Sequence, residues 1–573
     1  MRRLHLIVAL ALVCFVLGAA VIFSTTQTST PSRSWCDTDT WDGGNVPGAA
    51  DQAVVISEVV VDCDWLVGSI RIEPGGTLRW EGDATLTVDA SAGGDATGRV
   101  EVMGELEMRP SIEERHVLAF AGIDVANFVG GDDGMMTDPG GLHVMGPGEL
   151  DLDGPDRTAW SRTVESLSGG DSVLSVVQAD GWQIGDRLHI APSAPGDFDG
   201  QDATIAAIDG TTITLDQPLV DDRPLIDGAG TEVLNLTRNI EIRGENGYVT
   251  VHPSAGVQHL ADAGLVGLGV PGVTGRYPLH LHLQGDTSDG STFSRLLVLG
   301  SENRGVVPHG SHGTTWTDTV VHDTRGPGFW WDRAVNRPRG NEINSTNRTV
   351  VERMVVSGTR KLVDRNDFRL AAYELNRGFD NEIRDSVAVG TAGRKDSSGF
   401  MWSEGEAVGE SGVWVFEGNL AHNNARHGIF TWQNTSSPNH VISDFTAVRN
   451  GGFGASHGAY RNQYEYSGLR LIENGIGGLL IHSVSQDTSG QRFVDVHVES
   501  SPQGIVTTRH QLSPLGPTFI TDPTFVDVDR PLVAGGSNQP DDIVVTGWTD
   551  CPEFTDTVHP SSVWVVDGTV CTP

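Results

Sequence analysis

The sequence predicts an all-β chain whose C-terminal half is a parallel β-helix. Three observations carry this. Glycine supplies 72 of 573 residues, roughly twice the usual share of about 7%, and without a collagen period. Short runs of Val, Thr and Ile alternate with glycine turns, and few apolar runs have helical spacing. Glycine followed by an apolar residue recurs at Gly428, Gly452, Gly478 and Gly504, at intervals of 24, 26 and 26 residues. A period near 25, made of strands and turns, marks a solenoid: no coil buries its inner face alone, so each stacks on the next.

Five zones follow in order. Residues 1–34 open with Arg2 and Arg3, then run from Leu6 to Phe23 without a charge, which reads as a signal peptide or a single-pass anchor followed by a polar stalk. Residues 35–162 hold runs of about four residues, such as Val59–Val61 and Thr77–Trp80, between glycine pairs; they predict a β-roll or sandwich. Residues 163–232 predict a small β-barrel-like connector, with a hairpin turn at Asp209-Gly210. Residues 233–545 carry the repeat, and Asn424, Asn450 and Asn474 recur with it as candidates for corner side-chain ladders. Residues 546–573 form a tail.

Cysteine usage and charge bound the setting. Beyond Cys14 the chain has Cys36, Cys63, Cys551 and Cys571. Sequence-local pairing predicts disulfides Cys36–Cys63 and Cys551–Cys571, and no CxxC spacing favours a cysteine zinc site. Acids outnumber bases 75 to 38 for a net charge of −37, which argues against nucleic-acid binding. The expected protein is extracellular or at the cell surface, monomeric, and in contact with a membrane only through its N-terminal segment.

The opening WDGGNVPGAADQ and the closing IRIEPGGTLRW, within Thr40–Trp80, resemble the eight-glycine (G8) domain. Trp182–Leu219 is similar to the connector that follows it. Arg276–Asp286 (RYPLHLHLQGD) and His309–Gly328 (HGSHGTTWTDTVVHDTRGPG) resemble the cell-migration-inducing and cell-surface transmembrane hyaluronidases, and fibrocystin-like proteins share the architecture. The resemblance spans about residues 38 to 530 and implies a right-handed β-helix, an extracellular setting, and binding or depolymerisation of hyaluronan. This chain departs from the family's pattern at Pro327, where the family places a histidine.

Candidate chemistry concentrates just there. His280, His282, His309, His312 and His322 fall within 43 residues. Strand residues i and i+2 share a face, and His309 follows His282 by about one coil. With Asp286 and Asp323 nearby, the group suits a divalent metal, zinc or calcium, on His280, His282, His309 and His312. It equally suits acid/base catalysis by His280, His282, His322, Asp286 and Asp323, or a structural polar ladder. Asp332, Glu374 and Tyr277 extend the acid/base candidates.

Between Arg325 and Lys395 there are 14 bases against nine acids. This basic island predicts a trough for an anionic polysaccharide, with Arg276, Arg325, Arg333 and Arg337 as carboxylate-binding forks and Trp330, Trp331 and Trp402 as stacking platforms. The competing expectation is that these arginines pair with local acids. A hydrolase, a lyase or epimerase, and a non-catalytic glycan-binding module all remain open.

Overall fold

The structure is a computed structural model and describes residues 26–28, 33–93, 97–331, 345–361, 370–402, 413–432, 439–458, 464–482, 490–509, 517–537 and 542–573. These residues form a right-handed parallel β-helix. Each complete coil carries three short strands, one on each of three faces. The coil starting at Leu279–Gly285 continues through Thr292–Ser294 and Leu297–Ser301, and the next runs through Val306–Ser311, Thr315–Thr317 and Val320–Thr324. All three strands of one coil pair in parallel with those of the next.

Two of the three corners are tight, and their geometry explains the sequence there. Between the second and third faces a single residue in left-handed conformation turns the chain: Asp262, Arg295, Asp318, Arg353 and Asp385, with φ of 48–53°. Between the third and first faces Asp323, Gly358, Gly390 and Asn423 do the same. Left-handed backbone favours Gly, Asn and Asp, which is why these types recur at coil spacing. Inside, equivalent positions stack about one strand spacing apart. Phe293 lies 3.9 Å from Trp316, and Tyr373 lies 4.6 Å from Phe400. The expected asparagine ladder is present: Asn424 Nδ2 donates to Asn450 Oδ1 at 2.9 Å, and Asn450 Nδ2 to Asn474 Oδ1 at 3.0 Å.

The glycine-rich zone, expected as a separate β-roll or sandwich, is instead the first part of the same parallel solenoid. Glu105–Met108 pairs in parallel with Glu149–Asp153 on one face, and Val100–Val102 with Leu142–Val144 on another; these pass their pairing directly to His259–Ala261 and Val249–Val251 respectively. One solenoid therefore runs through both zones and shares one interior. Residues 160–235 leave the solenoid between the second and third faces of a single coil. They form a six-stranded antiparallel sheet. This inserted domain folds back over the third face, where Trp160, Ala191 and Leu234 pack on Leu297, Val320, Val355, Val387 and Leu420. Disulfides join Cys36 to Cys63 and Cys551 to Cys571, as the sequence predicts. Among the described residues no helix is long and apolar enough to cross a membrane.

Candidate functional site

Strand alternation builds the site. In Leu279–Gly285 the side chains of Leu279 and Leu281 enter the core, so His280 and His282 point outward from the first face. The register pairs His282 with His309 on the following coil. One potential ligand atom from each of His280, His282 and His309 lies within 4.8 Å of the other two. The rings of His280 and His309 are stacked at 5.8 Å, and His282 is edge-on to both, at 5.0 and 5.3 Å.

Although they face outward, His280 and His282 are only 2% and 7% exposed, while His309 is partly exposed. The segment around the short helical turn Gly131–Gly134 is pinned to the residues just before this strand by a buried ion pair: Arg276 meets Asp138 at 2.8 Å, both fully buried. Asp138 also accepts the backbone N–H groups of Val129 and Gly130. Burial, with His282 and His309 adding repulsion, holds the His280 imidazole neutral by pushing its pKa well below 6.5. Its Nδ1 lies 3.0 Å from the Gly275 carbonyl, which accepts and so fixes the proton there. The Nε2 lone pair is left buried and without a hydrogen-bond partner. A histidine whose second nitrogen is tied to a carbonyl is the arrangement that orients metal ligands.

Two histidines missed in the sequence extend the group. His252 precedes His282 by one coil, and its Nε2 lies 3.0 Å from His143 Nδ1. Burial first, then the charges of His282, Arg99 and Arg276, push His252 down to about 4. Coil spacing was the available signal: His252, His282 and His309 are 30 and 27 residues apart. On the other side Tyr277 stands 5.2 Å from His280 and 6.3 Å from Trp330. The Arg304 guanidinium lies 3.9 Å over the Trp330 ring. Trp330 is thus on the outward side of its strand beside the histidines, yet only 9% exposed, so it is not the open stacking platform the sequence suggested.

Several expected residues lie elsewhere. His312 is not in the cluster; its Nδ1 accepts the Asn347 backbone N–H at 3.3 Å. His322 projects from the third face and meets the inserted domain instead. Asp286 is exposed and bound to Arg348 at 2.6 Å, a contact that keeps its carboxyl below the usual range. Asp323 is a left-handed corner residue paired with Arg360 at 3.1 Å. Arg276 is a buried clamp on Asp138 rather than a sugar-binding fork. Trp331 and Trp402 are fully buried in the core, because neighbours on a strand face opposite ways and Phe329-Trp330-Trp331 presents only its middle residue. Glu374 is the register partner of Trp330. Arg333, Arg337 and Asp332 lie outside the described residues.

Among the described residues, part of the basic island is held in ion pairs. Arg353 binds Asp318 at 2.7 Å, Arg325 approaches Glu302 at 3.7 Å, and Arg384 bridges Glu382 and Glu417. Just before the island Arg295 meets Asp262 at 2.8 Å. Among the described residues, Arg325, Arg348, Arg353, Arg360 and Arg384 thus meet acids of the same or a nearby coil and are not free forks of a basic trough. A cleft of about 540 Å³ where the inserted domain meets the solenoid is lined by Trp160, Arg295, Asp318 and Arg353. Its charges are already paired in this way.

Comparison with known proteins places this group inside a recognised module. Residues 246–368 match the family model described as CEMIP beta-helix. A G8 domain-containing protein of Dictyostelium discoideum is 30% identical over 187 residues, 31% of this chain and 13% of that protein. Fibrocystin of Mus musculus is 24% identical over 486 residues, 79% of this chain and 11% of the relative. Fibrocystin-L of Homo sapiens is 26% identical over 304 residues, 43% of this chain and 7% of the relative. The chain spans less than a third of the length of these curated relatives. Among solved structures, the periplasmic alginate epimerase AlgG aligns at 9% identity, covering 81% of this chain and 77% of that one, with a TM-score of 0.32. A superposition that loose carries no functional argument. The resemblance read from the sequence, a G8-type opening joined to a β-helix, is borne out by the family match and the relatives, and the match covers the coils that carry His280, His282 and His309.

Proposed function

We propose that the protein is an extracytoplasmic, polysaccharide-depolymerising protein acting on an anionic, hyaluronan-like glycan, with a zinc-type divalent ion on His280, His282 and His309 at its working centre. The observation that carries this is the convergence of three outward imidazoles, one of them with its Nε2 lone pair buried and its Nδ1 tied to a carbonyl. An all-imidazole set favours zinc over calcium, which takes oxygen ligands. An ion held by these three imidazoles would supply Lewis acidity, acidifying a bound water and polarising substrate oxygens.

The chain's own residues supply the rest. Trp330 and Tyr277 pack beside the histidines with Arg304 stacked on Trp330, and at 9%, 1% and 5% exposure they buttress the site rather than offer open surface to a sugar. The glycan meets the site at His309, the most exposed of the three. The near-complete burial of His280 and His282 favours a second reading, in which the ion is structural and the module binds glycan without cleaving it.

One experiment separates the two. The purified chain is incubated with hyaluronan, chondroitin, alginate and pectin while chain length and the ultraviolet absorbance of new C=C bonds are followed, with and without a chelator. Metal-dependent shortening without absorbance indicates a hydrolase, and with absorbance a lyase. Retention without shortening indicates the binding module. Activity that survives both chelation and His282→Ala removes the metal-centred reading.

A further inference from the structure

A second cluster lies on a different face, where the inserted domain touches the solenoid. His189 on Arg187–Ile190 and Asp202 on Gln201–Asp209 come from the antiparallel sheet, and His322 comes from Val320–Thr324 of the β-helix. One potential ligand atom from each lies within 4.8 Å of the other two. His189 Nδ1 is 2.8 Å from Asp202 Oδ1, and the two imidazole rings are 4.0 Å apart.

The polar accounting at this junction is incomplete. His189 and His322 are 3% and 7% exposed, yet His189 Nε2 and His322 Nδ1 are buried without a hydrogen-bond partner. Buried imidazole nitrogens are normally satisfied, and two orphans at one interface point to a missing shared partner. Each faces a glycine in left-handed conformation. A Cβ on Gly200 would lie 2.8 Å from His189 Nε2, and one on Gly358 would lie 3.6 Å from His322 Nδ1. Other charged groups at this junction are Arg187, 3.6 Å from Asp202, and Arg360, which is bound to Asp323.

We propose that His189, Asp202 and His322 hold one zinc-type divalent ion that staples the inserted domain to the third face of the β-helix. Tetrahedral zinc sets nitrogen and oxygen ligands about 3.3–3.5 Å apart, so no separation among the three groups, all within 4.8 Å, needs to close by more than about 1.5 Å. Two ligands from the insert and one from a coil make the ion a cross-link between elements distant in sequence. This site is independent of the His280 cluster and of any activity.

The test uses the full chain in a His282→Ala background, which disables the first cluster, loaded with zinc alone and freed of excess. One zinc per chain is expected, with a chelator-sensitive midpoint of thermal unfolding and protection of the inserted domain from protease. His322→Gln and His189→Gln should each abolish the bound zinc and the chelator sensitivity together. Asp202→Asn changes a largely exposed residue and so keeps the fold; it should weaken zinc binding at least tenfold. Zinc content unchanged in Asp202→Asn and His322→Gln overturns the proposal, as does bound zinc whose removal leaves both the unfolding midpoint and the protease protection unchanged.

Discussion

Glu232→Gln tests how the inserted domain is held. Glu232 is fully buried, with its carboxylate 2.8 Å from His422 Nε2 on the third face and 3.0 Å from Arg162 within the insert. Burial alone would raise this carboxyl, but the positive charges of His422 and Arg162 outweigh it and bring the pKa from 4.5 down to about 2. At about 1.4 kcal/mol per tenfold change, that fall corresponds to about 3 kcal/mol of differential interaction. Removing one member of a buried pair costs about 3–5 kcal/mol by an independent route.

The sign follows from linkage. A depressed carboxyl contributes stability that is fully present above 4.5 and lost as pH falls through about 2. Glutamine mimics the protonated acid, so the variant lacks that dependence. Urea unfolding followed by tryptophan fluorescence should show wild type ahead by about 3 kcal/mol at pH 7 and by about half of that at pH 3. A gap below about 1 kcal/mol at pH 7, or one equal at both pH values, would refute the reasoning.

Other outcomes follow from the same packing. Asn450→Leu removes a side chain with four bonds, accepting from the Asn424 backbone N–H and Nδ2 and donating to Asn474 Oδ1 and the Ala421 carbonyl; at about 1 kcal/mol per bond, chemical unfolding should register a loss of about 4 kcal/mol. Trp331→Ala should cost about 3–5 kcal/mol of stability, while affinity electrophoresis in hyaluronan gels shows mobility unchanged, because the ring is in the core. Arg348→Ala should change stability by less than about 1 kcal/mol in the same urea assay, since its partner Asp286 is exposed. Reducing Cys551–Cys571, which closes a 20-residue separation, should loosen the C-terminal coil by about 3 kcal/mol, read as faster proteolysis of the tail.

The repeat determined most of the fold. A glycine-apolar step every 24 to 26 residues with intervening β runs admits a stacked solenoid, because identical coil positions must meet one strand spacing apart. The asparagine ladder and both disulfides follow from local spacing in the same way. Alternation placed His280 and His282 on one side of their strand, and coil length brought His309 to them. The same count applied one coil earlier reaches His252.

The tertiary structure decided what no periodicity encodes. Whether an outward residue is open or covered depends on a non-repeating segment, and the Arg276–Asp138 clamp turned an expected sugar contact into an internal support. The basic island was countable, but its meaning depended on which acids the neighbouring coils set against it. His322 could be placed on a strand, yet its partners His189 and Asp202 come from an insert with no repeat to fix its docking. Contacts within a ladder are dictated by a period along the chain. Contacts between a ladder and a folded excursion depend on the shapes of both surfaces, which only the assembled molecule specifies.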